Sequence, residues 1–245
     1  MSVEVLGMPK KLLTIYASCI NIPYSVGPGA WRECLLGAMS HGTVVGVNES
    51  FTRQQRATFR EVGNVHNWGA YGLSDSPNPI LWDGRFWRFK RGRMFRLHKA
   101  AKGSQARKYP GFNAARHGTL AVLQNVSSGH RVAFINTHLV PRGPKVSKAW
   151  RAWALGRSYV RLSAIVARNV LAGRTVVLMG DMNQGGKPKV LGIRWIQWKT
   201  VDKAGVRLPV RAKLIEHSSG TFPAPTDHRH GCFIDLTIRF KKGGK

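Results

Sequence analysis

Six short apolar runs rich in β-branched residues, each bounded by polar or turn-forming residues, most restrict the folds open to this 245-residue chain. They are "LLTIYASCI" (12–20), "TVVGV" (43–47), "TLAVLQNV" (119–126), "RVAFIN" (131–136), "TVVLM" (175–179) and "FIDLTIRF" (233–240). Apolar runs of roughly four to eight residues fit strands covered on at least one face. The "SSGH" between two of them supplies turn chemistry and predicts a hairpin over 119–136. A second hairpin is expected over 77–89, turning at Asp83-Gly84. The clearest helix spans 147–172, with Ser147 as its N-cap and Gly173 as its stop. Trp150, Trp153, Ala154, Leu162, Ile165, Val166 and Val170 recur at helical spacing and give it an apolar face, while Lys148, Arg151, Arg157, Arg161 and Arg168 read as a solvated face. Two further helices are expected at 30–40 and 52–62. Strands mixed with helices and hairpins predict an α/β protein whose sheet is not purely parallel. With no internal repeat and no low-complexity linker, residues 1–245 read as a single domain with a frayed basic tail at 240–245.

A hydrophobic content of 43% is enough for a sizeable core without disulfides or a structural metal. Charge is the unusual feature: 39 Lys and Arg against 11 Asp and Glu give a formal +28. Such a surface attracts polyanions, of which nucleic acid is the commonest, although anionic lipids and acidic proteins meet the same electrostatics. Cys19, Cys34 and Cys232 form no CxxC pair and leave an odd thiol, which predicts a reduced, cytoplasmic setting. The opening "MPKKLLTIYASCI" superficially resembles a secretory signal. Its apolar run is short, contains Tyr16 and lacks a clean small-x-small cleavage site, so a first core strand is the better reading. No stretch reaches the ~20 apolar residues of a membrane helix, and neither a membrane nor an obligate protein partner is predicted. Walker-type, HExxH, zinc-finger and G-x-S-x-G patterns are all missing from the sequence. Trp82, Trp87, Trp195 and Trp198 alternate with Arg85, Arg88, Arg194 and Lys199, which reads either as core tryptophans beside surface cations or as stacking platforms beside phosphate contacts.

Polar residues punctuate the strand ends, where loops gather side chains into one site. In chain order they are Asn21 in "ASCINI", Glu49 in "VVGVNES", Asn136 and His138 in "VAFINTHLVP", Asp181 and Asn183 in "VVLMGDMNQGG", and Asp235 in "CFIDLTI". A lone strand-terminal Asn or Asp is usually a turn former or helix cap. Taken together, this ordered series over residues 12–238 resembles the endonuclease/exonuclease/phosphatase superfamily. "INTHL" and "GDMN" are its most specific pieces, "NPILWDGRFW" looks like the family's middle hairpin, and "GFNAARHGTLAVLQN" places Arg116 at a basic position.

The resemblance implies a four-layer α/β sandwich, two mixed β-sheets packed face to face with helices outside. It also implies one or two divalent cations, Mg²⁺ or Mn²⁺, and hydrolysis of phosphate esters. By that likeness Glu49 binds the metal, Asn21 helps to hold metal and phosphate, and Asp181 with Asn183 positions the nucleophile. His138 donates to the phosphoryl group, Arg116 and Asn136 contact the substrate, and Asp235 orients a second histidine. The charge favours nucleic acid as substrate, DNA ahead of RNA. Inositol phosphates and lipids are the alternatives within the superfamily, and a binding protein without activity is the alternative outside catalysis. Family members end in a strand that begins Ser-Asp-His, whereas this chain stops ten residues after Asp235 and has only "TDH" (226–228) ahead of it. Three outcomes stay open. His228 or His230 supplies the histidine from the preceding loop, the enzyme works slowly with metal, Asp181 and His138, or the chain binds without cutting.

Overall fold

The computed structural model describes residues 12–23, 25–50, 52–102, 114–143, 146–197, 200–224 and 230–241. Its elements in chain order are β1 (Leu12–Asn21), α1 (Pro28–His41), β2 (Val44–Asn48), α2 (Arg53–Val65), β3 (Trp68–Tyr71), β4 (Ile80–Asp83), β5 (Trp87–His98), β6 (Arg116–Asn125), β7 (Arg131–His138), α3 (Lys148–Leu171), β8 (Thr175–Asp181), β9 (Arg194–Gln197), β10 (Asp202–Arg207), β11 (Ala212–Pro223) and β12 (His230–Phe240). The strands form two six-stranded mixed sheets, ordered β11-β12-β1-β2-β4-β3 and β5-β6-β7-β8-β10-β9.

Four layers need three apolar interfaces, and the buried residues fall into three clusters. Ile15, Ala17, Phe134, Val177, Ile234 and Leu236 meet between the sheets. Ile135 and Leu178, on the opposite face of the second sheet, pack against Leu162, Ile165 and Val166 of α3. Val45, Val47 and Leu81 of the first sheet pack against Leu35 of α1 with Phe59 and Val62 of α2. β2 and β8 are buried at every position, which is why their sequences run continuously apolar rather than alternating. Among the described residues no helix is long and apolar enough to cross a membrane.

The helix ends follow local chemistry. Ser147 accepts the Trp150 N–H at 3.2 Å and caps α3, while Gly173, at φ 74°, ends it. α2 begins with a capping box in which the Thr52 hydroxyl accepts from the Gln55 N–H and the Gln55 side chain accepts from the Thr52 N–H, both at 3.0 Å. The expected hairpin at 77–89 does not form. β4 pairs with β2 and β3, β5 pairs with β6, and the Asp83-Gly84 turn carries the chain from one sheet to the other. Asp83 fixes that corner by accepting the Arg85 backbone N–H at 2.8 Å and its guanidinium at 2.7 Å.

Two parallel pairs, β1 with β2 and β7 with β8, deliver their carboxyl ends to the same edge: Asn21 lies opposite Asn48, and His138 opposite Asp181. The sheets are tied there by Asn136, whose amide donates to the carbonyls of Val47 at 2.9 Å and Pro79 at 3.0 Å. Gly46 makes room for it, since a Cβ at that position would lie 2.8 Å from the Asn136 side chain. We expect Asn136→Ala to leave a buried acceptor unmet and a small void, lowering unfolding free energy by about 2–4 kcal/mol. Urea unfolding checks this, and a loss below about 1 kcal/mol would contradict the tie.

Candidate active site

The edge reached by the parallel pairs gathers polar side chains from both sheets. Asn21, at the end of β1, is buried and donates its amide to Glu49 Oε1 at 3.3 Å. Glu49 follows β2 directly and is held at φ 64°. From the second sheet, His138 Nε2 stands 3.3 Å from Asp181 Oδ2 and 4.0 Å from Glu49 Oε1, which links the two carboxylates through one imidazole. Asn183, at φ 49°, turns back so that its N–H donates to Asp181 Oδ1 at 2.8 Å and its amide to Asp181 Oδ2 at 3.1 Å and the Leu139 carbonyl at 3.0 Å. Arg151 of α3 closes the turn, its guanidinium donating to the carbonyls of Asn183 and Pro141. The left-handed backbone of Glu49 and Asn183 costs energy at non-glycine residues, a pattern concentrated at functional sites.

Arg116 begins β6 beside this cluster. Burial pushes its guanidinium below the ordinary arginine range, and Glu49 and Asp181 pull it back up. Two carboxylates, an imidazole and a guanidinium thus share one edge, where an anionic group would meet fixed donors and a cation would meet carboxylate oxygen. Asn136 is not presented to it: the residue is fully buried and its amide is committed to the inter-sheet tie, so the expected substrate contact is replaced by a structural one.

Asp235 lies elsewhere. It sits within β12 opposite Tyr16 and Ser218, accepts the Ser218 hydroxyl at 2.9 Å, and lines a cleft of about 820 Å³ with Tyr16, His41, Asp83 and Arg85. Tyr16 is five residues back from Asn21, some 16 Å at about 3.3 Å per strand residue, so Asp235 is outside the cluster. Among the described residues β12 is the last strand, running antiparallel to β1. Its first residue, His230, falls level with Asn21 when the Cys19–Cys232 register is continued by two places. His228 lies outside the described residues. The sequence Thr226-Asp227-His228 therefore directly precedes the terminal strand, and no later strand is needed to host such a motif.

Two residues passed over in the sequence stand at this edge. Asp202 heads β10, is buried, and is registered opposite Asp181. Asn48 ends β2, fully buried, with no hydrogen-bond partner for either amide atom among the described residues; Asn21 Oδ1 is in the same position. Buried polar groups are ordinarily met, so these atoms are open to a further polar partner. The signal for Asp202 was "TVD" ahead of a short strand, and for Asn48 its place beside Glu49.

The strained glutamate allows a stability test that does not depend on catalysis. Glu49→Ala keeps a Cβ at positive φ, whereas Glu49→Gly does not. The glycine variant should be more stable than the alanine variant by about 1 kcal/mol, and equal melting of the two would show that the backbone is unstrained.

The sequence matches no protein-family model and no curated protein. Solved structures do match it. An endonuclease/exonuclease/phosphatase from Bacteroides vulgatus superposes with a TM-score of 0.66 at 13% identity, over 94% of this chain and 100% of that one. D. rerio TDP2 complexed with single strand DNA product gives 0.63 at 12% identity, over 92% and 99%. The human Nocturnin catalytic domain with bound sulfate anion gives 0.63 at 13%, over 93% and 94%. Likenesses that span the whole chain at identities this low speak to architecture, and the architecture is plain: this chain has the fold of the endonuclease/exonuclease/phosphatase superfamily.

Proposed function

We propose that the protein is a divalent-metal-dependent phosphodiesterase that hydrolyses nucleic acid. The observation that carries this reading is the meeting of Asn21, Glu49, His138, Asp181 and Asn183 at one edge of the sandwich. It gains weight in a chain with only 11 acidic residues against 39 basic ones. Glu49 and the unmet Asn21 Oδ1 are hard oxygen donors of the kind Mg²⁺ or Mn²⁺ takes. The described residues contain no group of three or more His, Cys, Asp or Glu that could cage an ion. This suits a cation held by one or two protein oxygens, with water and phosphate completing its shell. When bound, the cation supplies charge neutralisation at the phosphoryl and leaving oxygens.

The chain's own groups supply the rest. Asp181, oriented by two donors from Asn183, holds and deprotonates the attacking water. His138 donates to a phosphoryl oxygen as charge develops there, and Arg116 adds a fixed positive charge beside it. For the second histidine we assign His228, from the Thr-Asp-His ahead of β12, with Asp202 in place of Asp235 as the carboxylate that orients it. General acid-base help of this kind is worth about 10² to 10⁴ in rate. The +28 charge supports a long polyanion over a small phosphate ester. The neighbour solved with a single strand DNA product supports DNA over RNA.

The test is incubation with single-stranded DNA, plasmid, RNA and an inositol phosphate, with and without magnesium, on the wild type and five variants. Glu49→Gln should abolish magnesium-dependent hydrolysis while melting normally, and normal turnover would remove it from the metal. His228→Ala and Asp202→Asn should each cost at least about a hundredfold, and the double variant little more, because residues acting as one unit are not additive. Asp235→Asn should stay within about twofold, well short of the loss of a general acid or base. A steep loss in Asp235→Asn with none in Asp202→Asn would reverse the assignment.

A further inference from the structure

Between Gly84 and Gly180 the chain carries 20 Lys and Arg residues and no Asp or Glu. This stretch builds β5, β6, β7 and α3, so the outer face of one sheet, with the helix on it, has no carboxylate of its own. A charge run is usually a solvated face, and single arginines there would carry no meaning. Their arrangement does. α3 crosses that face next to β5; Phe95 and Leu97 of the strand pack with Leu155 and Leu162 of the helix, and along the rim of that contact a groove opens to solvent.

One wall is β5, with Arg91, Arg93 and Arg96; the other is α3, with Arg157, Arg161 and Arg168. All six are exposed, and none forms an ion pair among the described residues. The groove has two parts, of about 810 Å³ and about 220 Å³. Their linings follow one another along both walls: Met94 lines the first and Arg93 the second, and Ala164 the first and Arg168, one helical turn on, the second. The wide part opens at His117, next to Arg116 of the active edge. At that end Trp153 is 45% exposed, unlike Trp82, Trp87 and Trp195, which are buried in the core. From Trp153 to Arg168 the helix offers about 22 Å of wall, at a rise of about 1.5 Å per residue.

The narrow end is under electrostatic load. Arg174 donates to Asn169 Oδ1 at 3.1 Å, but its Nε is buried with no hydrogen-bond partner among the described residues. Burial, then Arg91 and Arg131, push its guanidinium below the ordinary arginine range. Like charges gathered without a counter-charge are relieved by an anion between them.

We propose that the groove between α3 and β5 is a track for a single nucleic-acid strand, which leads its backbone away from the reacting phosphate at the active edge. Cations on both walls meet successive phosphates, and the exposed indole of Trp153 offers a face on which an unpaired base stacks. The track rests on the nucleic-acid reading of the active site and extends it to a second surface, set apart from the residues assigned to hydrolysis.

The experiment measures binding of the full chain with a chelator present, so that nothing is cut, using labelled single strands of about 20 and about 4 nucleotides. Arg93→Ala, Arg161→Ala and Arg168→Ala are combined in one variant. These side chains are exposed, and surface substitutions of this kind usually change stability by less than about 0.5 kcal/mol. The variant should bind the long strand at least tenfold more weakly. At about 0.7 per phosphate contact, its slope of log affinity against log salt should be shallower by about 2. The short strand should be nearly unaffected. The same three positions changed to Lys should regain most of the slope, and Trp153→Phe should keep affinity that Trp153→Ala loses. Unchanged long-strand affinity and slope in the triple alanine variant overturns the track even if the protein proves a nuclease. Arginine-dependent strand binding by a protein that cuts no nucleic acid upholds the track and overturns the hydrolase reading. Arginine-dependent binding of phosphatidylserine vesicles, with no binding of either strand, overturns the track in favour of a membrane surface.

Discussion

The amide of Asn136 sets the distance between the two sheets at the one edge where that distance matters for chemistry. Its two donors go to carbonyls of the opposite side, Gly46 leaves the space in which the sheets approach, and Gly180 lets β8 lie close against β7 within the second sheet. At Gly180 a Cβ would lie 2.0 Å from the Thr137 carbonyl oxygen, and the backbone there has φ 131°. Because β7 and β8 run side by side in parallel, closing the sheets at Asn136 also fixes His138 and Asp181, two and one residues further along their strands. The separations between His138, Asp181 and Glu49 therefore follow from backbone packing and not from the reach of flexible side chains, which is what a preorganised site requires.

Such a site concentrates negative charge in a strongly positive protein. Asp181 and Asp202 face each other across an antiparallel pair, an arrangement that is unfavourable for two like charges unless something offsets it. Three cationic or protonatable groups are at hand. His138 contacts Asp181 directly, and Arg116 feels both Glu49 and Asp181. Lys203, fully buried and in contact with the Thr200 carbonyl, is pushed down by burial and pulled up by Cys232, Asp202 and Asp181. The carboxylates are thus stabilised from the protein side, and the remaining demand, at Asn21 and Asn48, is for polar partners that the described protein does not provide.

Much of this was legible in the sequence, and the failures have physical causes. Strands buried on both faces, such as β2 and β8, announce themselves as apolar runs, and α2 and α3 carry N-caps in Thr52 and Ser147. β10 did not. "DKAGVR" reads as polar and glycine-containing, yet its first five residues are buried, because Ala204 and Val206 face the core between the sheets and Asp202 lies opposite Asp181 at the site. β12, with its clean alternation, carries Asp235, the aspartate that the sequence singled out, whereas Asp202, which we propose for that role, heads β10. β11 was missed because an edge strand with one solvated face has little apolar signal to show. The Asp83-Gly84 turn was correctly placed but wrongly joined: turn chemistry is local, whereas the choice of sheet for β5 depends on Trp87 packing against Phe134.

The distribution of charge separates two demands that composition merges. Seen as totals, an excess of cations says only that the protein attracts polyanions. The fold assigns the two signs to different places: Glu49, Asp181 and Asp202 lie buried or half-buried at strand ends, and the acid-free stretch from β5 to α3 covers one outer face. Phosphate would be repelled by carboxylates acting alone, so the proposed function needs, besides a divalent cation at the edge, cations that hold the polyanion close without neutralising the acids themselves. Exposed arginines on a neighbouring helix and strand meet that condition. Among the described residues none of them forms an ion pair with Asp181, and each adds to a field whose reach at physiological salt is about 8 Å from any one charge.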